Sequence, residues 1–150
     1  MHSISVTKTL GAPQQAVWDV LADFGNIADW NSGVSLSKLT GDADATAVGT
    51  TRYCELKPMG TLDETLLVMD EPSRAVVRID KATKIPIKHG EVEFLLEPDG
   101  DGTKTTINYA YQAKGGPLAG IVGRILAGQL TKGFGGFLDD LGAEAQTRVA

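Results

Sequence analysis

Arg52 and Glu64 are the residues whose types and spacing point most directly to chemistry. Counting outward from the turn Lys57-Pro58-Met59-Gly60 sets them opposite each other on adjacent strands, within reach of a cross-strand ion pair. Arg52 shares a strand face with Cys54 and Leu56, and Glu64 shares one with Leu62, Leu66 and Val68. Two charges on an apolar face must pair with each other or with a ligand, because an isolated buried charge is very costly. A carboxylate so placed is a candidate general acid or base. The competing reading is a solvated salt bridge at the sheet rim, worth about 0–1 kcal/mol.

A second set lies on the last strand, where Ile107, Tyr109 and Tyr111 share one face and Thr106, Asn108 and Gln112 the other. Turned inward, the two tyrosines offer hydroxyls that can orient a ligand carbonyl or hydroxyl; the plain alternative is a pair of core tyrosines bonded to nearby backbone. His2 and His89 are the only histidines, and neither stands in a pattern of metal ligands, so no metal site is expected. No cofactor is expected either. Gly100-Asp101-Gly102 is a hairpin turn rather than a phosphate loop, and no dinucleotide fingerprint follows a strand. Cys54 is a lone cysteine, which reads as a small buried side chain in a reducing, cytoplasmic protein.

These side chains need a scaffold, and 150 residues suffice for one domain spanning 1–150. Alternation predicts strands at Ser3–Leu10, Val34–Leu39, Thr50–Leu56, Thr61–Met69, Arg74–Asp80, Glu91–Glu97 and Thr103–Ala113. A polar loop is expected at Gly41–Val48. Ala12-Pro13 opens a short helix with Ala16, Val17, Val20, Leu21 and Phe24 on one face, and a second short helix is expected at Asn26–Trp30. The order predicts an α+β fold, an antiparallel sheet with its helices on one side. A net charge of −5, with no basic run interleaved with aromatics, argues against nucleic acid as a partner.

The long C-terminal helix is laced with glycine: Gly115 to Gly142 holds nine of the 18 in the chain. Each interior one costs about 0.5–1 kcal/mol against alanine. Arg124 and Lys132 exclude a membrane span, which needs about 20 mostly apolar residues. The glycines scatter around the helical wheel, which excludes a dimer seam, while Leu126, Leu130, Phe134, Phe137 and Leu141 form an apolar stripe. The expectation is a helix kinked or broken near Gly128 or Gly133–Gly136 that leaves room beneath it, the rival reading being a loose lid that frays.

The run AVWDVLADFGNIADW, the GTTR at Gly49–Arg52, Glu64, Pro86 and the GDGT hairpin at Gly100–Thr103 resemble the START-like superfamily, and within it the polyketide cyclase/dehydrase and lipid-transport group. The resemblance implies a helix-grip: a curved antiparallel sheet of about seven strands, two short helices and one long C-terminal helix over a hydrophobic cavity. It also implies an inward Glu64 and cavity-facing Gln129, Gly133 and Phe137. Arg78 divides the two lines of reasoning. Pattern turns Ala75, Val77 and Ile79 inward and Arg78 outward, whereas the family register anchored on Pro86 turns Arg78 inward, and the expectation follows that register. The functional expectation is binding or carriage of a lipid, polyketide or quinone-like molecule, with a cyclase or dehydratase using Glu64 as the alternative. An interaction-only module is disfavoured, because the sequence displays no exposed apolar segment.

Overall fold

The computed structural model describes residues 1–41 and 47–150. Seven strands, β1 (His2–Leu10), β2 (Val34–Thr40), β3 (Thr51–Leu56), β4 (Thr61–Asp70), β5 (Arg74–Thr83), β6 (Ile87–Asp99) and β7 (Gly102–Ala113), form one antiparallel sheet in the order β1-β7-β6-β5-β4-β3-β2. Helix α1 (Gln14–Ala22) and a 3-10 segment (Phe24–Asp29) connect β1 to β2, and α2 (Ala119–Val149) closes the chain. This is the expected helix-grip α+β fold. Alternation is the cause of the sheet's two faces: in β7, Thr103, Thr105, Ile107, Tyr109, Tyr111 and Ala113 are buried while their neighbours are not. The expected polar loop at Gly41–Val48 lies mostly on 42–46, outside the described residues.

Two strand boundaries depart from expectation for one reason. The sheet is bulged, and a bulge breaks the two-residue period on which the reading relied. β6 begins at Ile87 rather than Glu91, with a register shift between Ile87 and His89. β5 continues past Asp80 to Thr83, and Asp63 pairs with Lys81 while Glu64 pairs with Ile79, so Asp80 is an extra residue. That bulge also decides Arg78. Counting back from Pro86 crosses it and lands Arg78 on the wrong face; counting within 75–79 does not. Arg78 is exposed on the convex side, paired with Asp80, and the expectation that it faces the cavity is corrected.

The expected kink in the last helix is also corrected: α2 is helical without interruption over 31 residues. Burial of Leu126, Leu138, Leu141 and Ala145, with Leu130, Phe134 and Phe137 packed on the same core, offsets the helix propensity the glycines give up. Two glycines seat the helix on the sheet. A Cβ at Gly123 would lie 2.0 Å from His2 Nε2, and one at Gly142 would lie 3.2 Å from Leu10 Cδ2. At Gly120, Gly128, Gly133 and Gly136 it would meet nothing within 4 Å.

Candidate functional site

Between the concave face of the sheet and α2 lies a cavity of about 310 Å³. β4 and β5 supply its aliphatic floor (Leu62, Leu66, Val77, Ile79), and α1 and the 3-10 segment one wall (Val20, Phe24, Ile27). α2 supplies the roof (Gln129, Leu130, Gly133, Phe134, Phe137). Gly33, Gln129 and Gly133 are the exposed members of this lining and mark where the cavity opens.

Arg52 and Glu64 meet in its wall as an ion pair whose side chains are 8% and 7% exposed, not as a pair at the solvated rim. Glu64 Oε1 accepts from Arg52 Nε at 3.0 Å, Arg52 Nη2 at 2.9 Å and the Cys54 thiol at 3.6 Å. Arg52 Nη1 donates to the Phe24 carbonyl at 2.9 Å, and the guanidinium lies 3.8 Å from the Phe24 ring centroid. Every donor-bearing nitrogen of the guanidinium is therefore engaged within the protein. Burial pushes the Cys54 thiol up to about 12; Arg52 opposes that rise and Glu64 adds to it. Cys54 is an unreactive part of the wall, as its burial suggests.

The two tyrosines separate. Tyr111 is fully buried, donates to the Gly123 carbonyl at 2.7 Å and stacks on His2, so it fastens α2 to the sheet and does not line the cavity. Tyr109 lines the cavity with a buried hydroxyl that has no partner among the described residues. Burial raises its phenol above the ordinary range, with the Glu64 charge and then Tyr111 adding to the rise. Gly90 is what admits this ring: a Cβ there would lie 2.9 Å from Tyr109 Cε2 and 2.7 Å from the Ala110 carbonyl oxygen.

Gln129, Gly133 and Phe137 lie along the roof, Gln129 and Gly133 at the opening and Phe137 inside. Phe137 contacts Trp30 edge-on at 5.2 Å and Phe94 at 5.6 Å, and Phe134 meets Tyr109 edge-on at 5.2 Å. Trp30 is the site residue that sequence reasoning missed. Its indole Nε1 is buried without a partner among the described residues, and it lines the cavity. A tryptophan closing a short helix reads as a cap on the core; only the buried N–H with nothing to donate to marks it as more. Among the described residues no group of three metal-ligating side chains comes together.

The fold recurs in solved structures. The Zhui aromatase/cyclase from Streptomyces sp. R1128 superposes with a TM-score of 0.79 at 19% identity, covering 99% of this chain and 96% of that one. A protein from Thermus thermophilus gives 0.82 at 12% identity, covering 99% and 100%. A START superfamily protein from Mycobacterium smegmatis gives 0.71 at 16% identity, covering 99% and 97%. At such identities the likeness is one of fold. A search of curated proteins gives no sequence match. The family profile described as polyketide cyclase/dehydrase and lipid transport matches residues 1–146, nearly the whole of the grip and its roof, and by that match the chain belongs to this family.

Proposed function

We propose that the cavity binds and carries an apolar small molecule with a flat, unsaturated ring system and at least one hydrogen-bond acceptor. The observation that carries this reading is Tyr109, a lining residue whose buried hydroxyl has no partner among the described residues. A group desolvated in that way costs about 1–3 kcal/mol unless something bonds to it, so a ligand acceptor has free energy to recover there. The Trp30 Nε1–H adds a second donor of the same kind. The rings of Trp30, Phe94, Tyr109, Phe134 and Phe137 favour a planar guest over a plain acyl chain, since offset and edge-on ring contacts add about 0.5–1.5 kcal/mol each beyond burial. The volume sits at the lower end of the roughly 300–1,000 Å³ usual for ligand pockets, which suits a guest of few rings.

Carriage fits better than turnover because Glu64 and Arg52 are tied to each other in the cavity wall. Glu64 Oε1 takes three donors, and Arg52 donates one bond from each guanidinium nitrogen, two to Glu64 and one to the Phe24 carbonyl. The enzyme reading rests on the same buried pair lining the cavity; under it, Glu64→Gln abolishes turnover and keeps affinity.

The test is titration of the protein with anilinonaphthalene sulfonate, a planar fluorophore carrying acceptor oxygens. Tyr109→Phe removes one hydrogen bond worth about 0.5–1.5 kcal/mol and weakens binding roughly two- to tenfold. Tyr111→Phe leaves the affinity unchanged, because its hydroxyl serves the Gly123 carbonyl. Equal affinity for Tyr109→Phe and the unaltered chain would overturn the assignment.

A further inference from the structure

The chain carries −5 overall, yet its charge is segregated along the strand axis. The β3–β4 turn, the β5–β6 loop, the end of β7 and the start of α2 lie at one end of the sheet. Lys57 N–H donates to the Gly33 carbonyl, Lys114 Nζ donates to the Ala82 carbonyl, and Gly60 abuts Ile85. Residues 57–62, 81–90 and 112–138 contain no aspartate or glutamate. They contribute Lys57, Lys81, Lys84, Lys88, Lys114 and Arg124 to this end, and among the described residues none of these is in a salt bridge. The opposite end, at the β4–β5 and β6–β7 turns, carries Asp70, Glu71, Asp99 and Asp101. Lysines scattered in sequence are thus gathered by topology.

The same end exposes large apolar side chains. Met59 is 59% exposed on the β3–β4 turn, and Leu118, Ile121 and Ile125 are 60%, 57% and 63% exposed at the start of α2. Ile121 and Ile125 are spaced i, i+4 on one helix face, and the next residue of that spacing is Gln129 at the cavity opening. An exposed apolar segment therefore exists, contrary to expectation from sequence. Aliphatic side chains ringed by lysines, beside a cavity mouth, match the two requirements of an anionic bilayer surface: apolar groups to enter the acyl boundary and cations for the headgroups. Nucleic acid is a poorer match, since five of the six cations are lysine and no tryptophan, tyrosine or phenylalanine is exposed among them for stacking.

We infer that this end docks the protein on an anionic lipid surface, with Met59, Leu118, Ile121 and Ile125 inserted and the cavity mouth turned towards the membrane. The inference goes beyond the cavity reading and needs no guest in the cavity. Each cation near such a surface strengthens binding roughly fivefold, and salt screens the effect over about 10 Å at 0.1 M. The experiment is flotation of the full chain with vesicles of phosphatidylcholine alone or mixed with phosphatidylglycerol, at low and high salt. The expected result is flotation with the mixed vesicles only, lost at high salt. Lys84→Glu/Lys88→Glu and, separately, Ile121→Asp/Ile125→Asp each cut it more than tenfold with unchanged circular dichroism, while Lys104→Glu near the acidic end has no such effect. Absence of flotation, equal flotation with neutral vesicles, or indifference to both double variants would overturn the inference. So would duplex DNA binding that persists in Ile121→Asp/Ile125→Asp while vesicles are ignored.

Discussion

Replacing Arg52 by methionine tests whether the ion pair is a structural part of the cavity wall. The substitution keeps much of the side-chain volume and removes the charge, leaving Glu64 Oε1 with only the Cys54 thiol as donor. At a separation of 2.9 Å and an effective dielectric near 20, the lost attraction is roughly 6 kcal/mol before solvation is counted. Each ion costs several kcal/mol to bury, so the pair's net value is small, but removing one partner strands the other. That asymmetry puts Arg52→Met at about 3–5 kcal/mol of destabilisation. Loss of the bond to the Phe24 carbonyl and of the cation–π contact lies within that figure. For a chain of this size the fall in Tm is about 2–4 °C per kcal/mol, so on the order of 6–20 °C. The assay is urea unfolding of Arg52→Met, Glu64→Leu and the double variant. The double variant recovers most of the loss, since an apolar pair suits the wall. A cost below about 1 kcal/mol for Arg52→Met, the range of exposed pairs, would refute the buried-pair argument.

Three further outcomes follow from the same wall and roof. Cys54 and Tyr109 both titrate above their ordinary values in the folded chain, so the stability they contribute is fully present below about pH 9 and is lost as pH rises towards 12, and Cys54→Ala flattens that decline in alkaline unfolding curves. Gly133→Leu adds about 0.8 kcal/mol of helix propensity where a Cβ meets open space, raising Tm, while its side chain narrows the opening and lowers fluorophore affinity; a fall in Tm would mean the position packs closely. Amide exchange is faster across 119–136 than across 137–148, and uniform protection along α2 would contradict the account of its glycines.

The sheet, the helix order and the Arg52–Glu64 pairing were legible because each follows from a local period counted from a nearby turn. Arg52 and Glu64 flank a turn only a few residues away, and no register shift intervenes between Thr51–Glu55 and their partners on β4. Arg78 failed because the count ran from Pro86 across an extra residue at Asp80, and a bulge leaves no mark in side-chain pattern alone. Tyr109 and Tyr111 share one face, so their division depends on what stands opposite: the Gly123 carbonyl accepts from Tyr111, while Tyr109 meets Phe134 in the cavity lining and its hydroxyl has no partner among the described residues. The cationic end was invisible for a related reason. Its lysines come from separate turns, and only antiparallel closure of the sheet brings them together.

The glycines of α2 divide the helix into two halves with different duties. Beyond Gly136 the helix buries Leu138, Leu141, Gly142 and Ala145 and holds to β1 and α1; before it, only Gly123 and Leu126 are buried. Gly120, Gly128, Gly133 and Gly136 give up about 4 kcal/mol of helix propensity together, with no packing contact at their positions that requires it. Against a global stability of about 5–15 kcal/mol, that is enough to make fraying of the first half much cheaper than unfolding the domain. This half is also the part of the roof that carries Gln129 and Gly133 at the opening, and Leu118, Ile121 and Ile125 at the cationic end. A guest contacting Leu130 and Phe134, or a surface taking up Ile121 and Ile125, would supply the contacts that this stretch lacks by itself. On the two readings proposed above, either one would order this part of the roof, and the low intrinsic helix propensity would make that ordering reversible.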